Sequence, residues 1–174
     1  MKTFIFALAL VAATPATAQV YGTVRGGEDT YGAALGADTG LLRFELGAAH
    51  VEAPVDYRGL FYGSLDAADF SVSAFADLPL GDRLSVFAGA GVDYLYGDGE
   101  VGVLGFSIPY DVNNWGYSLA AGGALRIAPG FTGEVQFRRL TVDDLPNAPA
   151  SERGHVEHDS VTLGARIAFG APHE

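Results

Sequence analysis

The chain has 174 residues, with 24 glycines, no cysteine, and 21 acidic side chains against 10 basic ones. Its one lysine is Lys2. An acidic chain with few, scattered bases cannot neutralise a run of phosphates, so no nucleic-acid partner is expected. The lack of cysteine excludes disulfides and thiolate metal sites, and the length suits a single domain.

Residues 1–18 read as a cleaved secretory signal peptide. Lys2 supplies the positive start, Phe4–Ala13 the apolar stretch, and Ala16-Thr17-Ala18 the small-x-small cleavage site. The apolar run is too short to span a bilayer as a helix. The mature domain is therefore expected to occupy residues 19–174, beginning at Gln19.

Beyond that point hydrophobic residues alternate instead of forming blocks. Eight alternating segments predict strands at Val20–Gly26, Tyr31–Ala37, Leu41–Val51, Ala67–Asp77, Leu84–Tyr96, Asn114–Ile127, Phe131–Leu140 and Asp159–Phe169. The stretches between them fall into two kinds. Asp38–Gly40, Leu78–Arg83 and Ala128–Gly130 carry the Gly and Pro of tight turns, whereas Glu52–Asp66, Gly97–Asn113 and Thr141–His158 are long and polar. Apart from Gly27–Thr30, a short first outer connection, short and long connections alternate, as in outer-membrane barrels with short periplasmic turns and longer outer loops. An even strand count would leave both termini in the periplasm.

Parity sets what each strand faces. Leu42, Phe44, Leu46 and Ala48 oppose Arg43, Glu45 and Gly47; Phe131, Val135 and Phe137 oppose Thr132, Glu134, Gln136 and Arg138. In the last strand Val161, Leu163, Ala165, Ile167 and Phe169 oppose Arg166 and its small or polar neighbours. Arg25, Asp77 and Asp93 also fall on polar parity. Charges confined inside a barrel must pair or meet water. Arg43, Glu45, Glu134, Arg138 and Arg166 are accordingly expected to form one inward ion-pair network near mid-barrel. A soluble barrel would place the apolar parity inside. The signal peptide and the aromatics Tyr94, Tyr96, Trp115, Tyr117, Phe131 and Phe169 near strand ends favour the membrane arrangement.

Three stretches resemble the family of small outer-membrane β-barrels that includes opacity-type proteins and the membrane domain of outer-membrane protein A. Leu78–Ser85 followed by Val86–Val92 is similar to that family's turn and "PYVGAGxGY" strand, with Phe87 where Tyr is common. Gly116–Leu125 is similar to its "GYxxGAGxxY" strand, and Ser160–Phe169 to its terminal "SLTLGLRYRF". Thr162, Gly164, Ile167 and Phe169 resemble the C-terminal signal that the barrel-assembly machinery reads. The resemblance implies an all-β fold, an eight-stranded antiparallel up-and-down transmembrane barrel in the outer membrane. Outer-membrane lipids and lipopolysaccharide would surround it, and the long acidic loops, if not simply a solvated surface, would attract cations or associate with lipopolysaccharide through bridging divalent ions. Members of that family serve as adhesins, immune-evasion factors, structural tethers and narrow pores. The peptidoglycan-binding domain of larger relatives has no counterpart in the sequence, so wall tethering is not expected.

Some small outer-membrane barrels modify lipid A with a Ser/His/acid constellation at the outer rim. The candidates are His50 with Glu52, and His155, Glu157, His158, Asp159 and Ser160. Read from the sequence, His155 and His158 lie in a polar loop and His50 at a strand end, as solvated side chains, or at most as loose ligands of a divalent metal. Neither a catalytic residue nor a cofactor is expected. An eight-stranded barrel is just wide enough to be filled by its own side chains, which argues against an open channel. The expected role is structural or surface-interacting, with outer loops on a rigid barrel. A narrow or gated porin-like channel is the first alternative and a lipid A acylhydrolase the second.

Overall fold

Eight strands form where the alternating segments predict them, and each pairs antiparallel with its chain neighbours. The computed structural model describes residues 18–57, 61–103, 106–143 and 155–169. The signal-peptide reading therefore falls almost wholly outside the described residues. The strands are β1 (Gln19–Gly27), β2 (Thr30–Asp38), β3 (Leu42–Tyr57), β4 (Phe61–Pro79), β5 (Leu84–Val103), β6 (Phe106–Ala128), β7 (Phe131–Asp143) and β8 (His155–Phe169). β1 closes the ring on β8, with register running from Val20↔Phe169 to Gly27↔Thr162. Closure leaves no unpaired edge, so every strand lends its backbone hydrogen bonds to two neighbours.

At one end the hairpins turn tightly. Gly40, Gly81 and Gly130 adopt φ of 96°, 144° and 73°, a region open to glycine and strained for other residues. Asp38 Oδ1 accepts the Gly40 amide at 2.7 Å, which fixes the first of these turns.

The other end departs from the sequence expectation. Glu52–Asp66 and Gly97–Asn113, read as long loops, are largely strand. Pairing continues from Glu52↔Asp66 to Tyr57↔Phe61, and from Gly97↔Val112 to Val103↔Phe106. β4, β5 and β6 reach 19, 20 and 23 residues. A tilted membrane strand needs only about 9–11 residues. Half of each long strand thus stands beyond any bilayer that the other half spans.

The pattern of burial inverts along these strands. Toward the tight turns the outer surface is apolar: Leu35, Leu42, Val72, Val92, Leu119, Val135 and Leu163 are exposed, and charged side chains are buried. Higher up, the outward positions carry Glu52, Asp66, Asp98 and Asp111, while Val51, Leu65, Ala67, Leu95, Val112, Leu140 and Val142 pack together inside. The lower half is therefore inside-out and the upper half is built like a soluble barrel. Tyr96 and Trp115, both exposed, mark the level of the change.

Candidate functional site

Inward side chains of the lower half fill the lumen in two ionic layers. In the layer nearer the tight turns, Glu45 on β3 accepts Arg25 Nη2 and Arg43 Nη1 through one oxygen, at 2.8 and 2.7 Å, and Tyr21 Oη at 2.9 Å. Glu134 on β7 receives Arg166 Nε at 3.1 Å, Arg25 Nη2 at 3.2 Å and Arg43 Nη1 at 3.5 Å. Arg43 Nε reaches Asp77 Oδ2 at 3.0 Å. Three arginines and three carboxylates thus interlock, and Asp38, 3.8 Å from Arg166, lies toward the mouth.

Arg43 is wholly buried. Its guanidinium carbon lies 4.5 Å from the Phe75 ring centre and 4.6 Å from that of Phe87, and the two rings meet edge to face at 5.7 Å. A planar guanidinium can stack on aromatic faces while its edge donates to carboxylates, which lysine cannot reproduce. Phe75 and Phe87 sit on the polar parity of their strands, so alternation alone gave no sign that they cover this arginine.

The second layer lies about four residues farther along the strands. Arg138 on β7 donates to Asp69 Oδ2 on β4 at 2.7 Å and also to Asp93 Oδ1 on β5. This corrects the expectation of a single five-residue network. Arg43, Glu45, Glu134 and Arg166 are brought together, but Arg138 is not among them. Glu134 and Arg138 share the inward face of β7, yet four residues of strand put their Cα atoms roughly 13 Å apart. Asp69 was missed, although it shares parity with Asp77.

Between the layers lies a cavity of about 60 Å³, lined among others by Arg25, Glu45, Ser71, Ser73, Gln136 and Arg138. Above the second layer the apolar cluster of Leu65, Leu95, Val112 and Leu140 occupies the interior. From the tight-turn end upward the lumen therefore runs ionic, polar, ionic, apolar.

The histidine-rich stretch also differs from expectation. His155–His158, expected as loop, is strand, paired with β7 through Asp143↔His155 and Leu140↔His158. His158 points inward and is buried, its Nε2 3.4 Å from Thr30 Oγ1. Asp159 points outward into a two-bond pair with Arg139, both bonds 2.7 Å. One face of β8 thus carries His158 and Ser160 inside the wall and the other carries Glu157 and Asp159 outside, so they do not converge.

On the outer surface, His50 Nε2 lies 3.2 Å from Glu52 Oε1 and 3.5 Å from Asp66 Oδ1, close enough for the three side chains to share a metal ion. Below them a shallow groove has Ala33, Ala48 and Ala68 in its floor and Tyr31 and Phe70 in its walls. Tyr31 and His50 rings stand 4.9 Å apart. Ile167 and Phe169, from the expected assembly signal, face outward and are exposed, whereas Thr162 and Gly164 face inward.

An apolar exterior, a charged interior and eight closed antiparallel strands define the fold of the small outer-membrane β-barrels. Known structures agree. The N-terminal β-barrel domain of Pseudomonas aeruginosa OprF matches with a TM-score of 0.61 at 13% identity, covering 87% of this chain and 97% of that one. Neisserial surface protein A matches with a TM-score of 0.60 at 12% identity, covering 87% and 96%. Outer membrane protein H of P. aeruginosa, solved in micelles, gives 0.56 at 17% identity, covering 88% and 100%. No protein-family model and no curated protein matches the sequence.

Proposed function

We propose that this chain is a non-enzymatic outer-membrane barrel, its tight turns in the periplasm, whose task is to carry a rigid surface extension. The observation behind this reading is the inversion of burial. A belt of exposed aliphatic side chains suits lipid, and a water-type barrel with its own apolar core stands above it. Four hydrogen-bonded strands, β3 to β6, continue into the extension, so its outward residues are held as a surface and not as mobile loops. Glu52, Asp66, Asp98 and Asp111 stand directly opposite one another across those strands. Such a row draws cations, and divalent ions there would bridge to the phosphates of lipopolysaccharide while acyl chains lie against the alanine groove below.

Fractionation of cells expressing the full chain tests the location, and mass spectrometry of their lipid A tests the absence of catalysis. The barrel is expected in the outer membrane with heat-modifiable migration, and lipid A is expected unchanged. Recovery in the soluble periplasm, or loss or gain of an acyl chain, would contradict the reading. Ile167→Asp should lower the outer-membrane level by spoiling the end of the last strand that the assembly machinery binds. Undiminished levels would remove that role from Ile167.

A further inference from the structure

The second ionic layer is unbalanced. Arg138 alone faces two carboxylates, Asp69 and Asp93, whose side chains are 1% and 0% exposed. The first layer matches Arg25, Arg43 and Arg166 with Glu45, Glu134 and Asp77. One negative charge is thus left over in the second layer, inside a barrel wall, where an uncompensated charge is costly. His158, the next inward ionisable group from β8, contacts Thr30 and neither carboxylate.

Of the buried polar atoms left without partners, the donor nitrogens belong to first-layer arginines, Arg25 of the cavity wall among them, and those at the second layer are all acceptors. Asp69 Oδ1, Asp93 Oδ2 and Gln136 Oε1 are buried acceptors with no donor, and Asp69 and Gln136 both line the cavity between the layers. Ser71 and Ser73 add hydroxyls to the same wall. A carboxylate, an amide oxygen and hydroxyls are the donor set of a hard cation. The cavity exceeds the roughly 10–15 Å³ that one water-sized sphere needs.

We propose that this cavity binds a monovalent cation of sodium size, held by Asp69 Oδ1 and Gln136 Oε1 with Ser71 and Ser73 completing the oxygen shell. A single positive charge balances the second layer, whereas a divalent ion would reverse its sign. The ion would sit between the apolar cluster above and the first layer below, as a structural part of the folded barrel and not a permeant ion in transit.

The test is the unfolding midpoint of the refolded full-length barrel in detergent, in sodium chloride and in choline chloride of equal ionic strength. Sodium should raise the midpoint by roughly 3–6 °C for each tenfold excess over its dissociation constant. Asp69→Asn should remove that response and should melt in choline at or above the wild type, because the surplus charge is gone. Gln136→Leu, which leaves every charge in place, should weaken the response and serves if Asp69→Asn does not refold. Equal wild-type midpoints in the two salts would overturn the proposal. So would a rise in choline on mild acidification to the level reached in sodium, which would assign the missing charge to a proton. Crystals soaked in a thallium salt give a check that needs no variant: an anomalous peak beside Asp69 supports the site, and a clear lumen refutes it.

Discussion

Arg43 on β3 and Glu134 on β7 meet at 3.5 Å although their strands stand on opposite sides of an eight-stranded ring. The contact spans the lumen. It makes the interior a cross-braced solid at that level, since Arg25 and Arg166 converge on the same glutamate from β1 and β8.

Glu134 is thus the acceptor that three arginines share. Glu134→Ala leaves their charge uncompensated in a buried layer, and the loss should be on the order of 3–5 kcal/mol. Glu28→Ala, in an exposed connection, should change stability by no more than about 0.5 kcal/mol. Urea unfolding of the refolded barrels in detergent measures both. Equal midpoints would mean that the ionic layer contributes nothing.

Close packing around Tyr21 gives a second expectation. A Cβ at Gly36 would stand 2.2 Å from the Tyr21 ring and 2.7 Å from the Phe44 carbonyl oxygen, whereas one at Gly26 meets nothing within 4 Å. Gly36→Ala must therefore displace Tyr21 from Glu45, at a cost of roughly 1–3 kcal/mol. Gly26→Ala should be neutral or slightly stabilising. The two variants make the same chemical change, so a difference in their midpoints isolates the packing.

The inversion of burial locates the membrane boundary. Leu163 is 70% exposed on the apolar belt, and Leu163→Arg should cost roughly 2–4 kcal/mol in a bilayer. Asp111 faces outward above the belt, opposite Asp98. Asp111→Arg should stabilise by up to about 1 kcal/mol by interrupting a row of like charges. Folding into lipid vesicles reads both, and similar penalties for the two would place the boundary elsewhere.

The lower half was legible because one rule governs it: apolar side chains face out, charged ones face in, and turn glycines separate the strands. Arg43, Glu45, Glu134 and Arg166 were found by that rule. The upper half hid because the rule reverses within a strand. In β7, Phe137 faces out, yet three residues later Leu140 faces in. A reading that keeps one parity per strand must stop at the reversal and take the rest, acidic as it is, for loop. Height along the barrel was hidden as well, since parity says which wall a side chain faces and not at what level. For that reason Arg138 was grouped with Glu134, and its partner Asp69 was passed over.

The proposed role requires a lumen shut to hydrated ions. Among the described residues, two ionic layers and an apolar cluster occupy successive levels, and an apolar level would offer no path for a hydrated ion. Single-channel recording of the purified full-length barrel in planar bilayers tests that claim most directly. The account predicts no unitary current steps above the noise of the bare bilayer in concentrated potassium chloride. Stable, reproducible steps from the wild-type protein would contradict it and would make the chain a narrow pore.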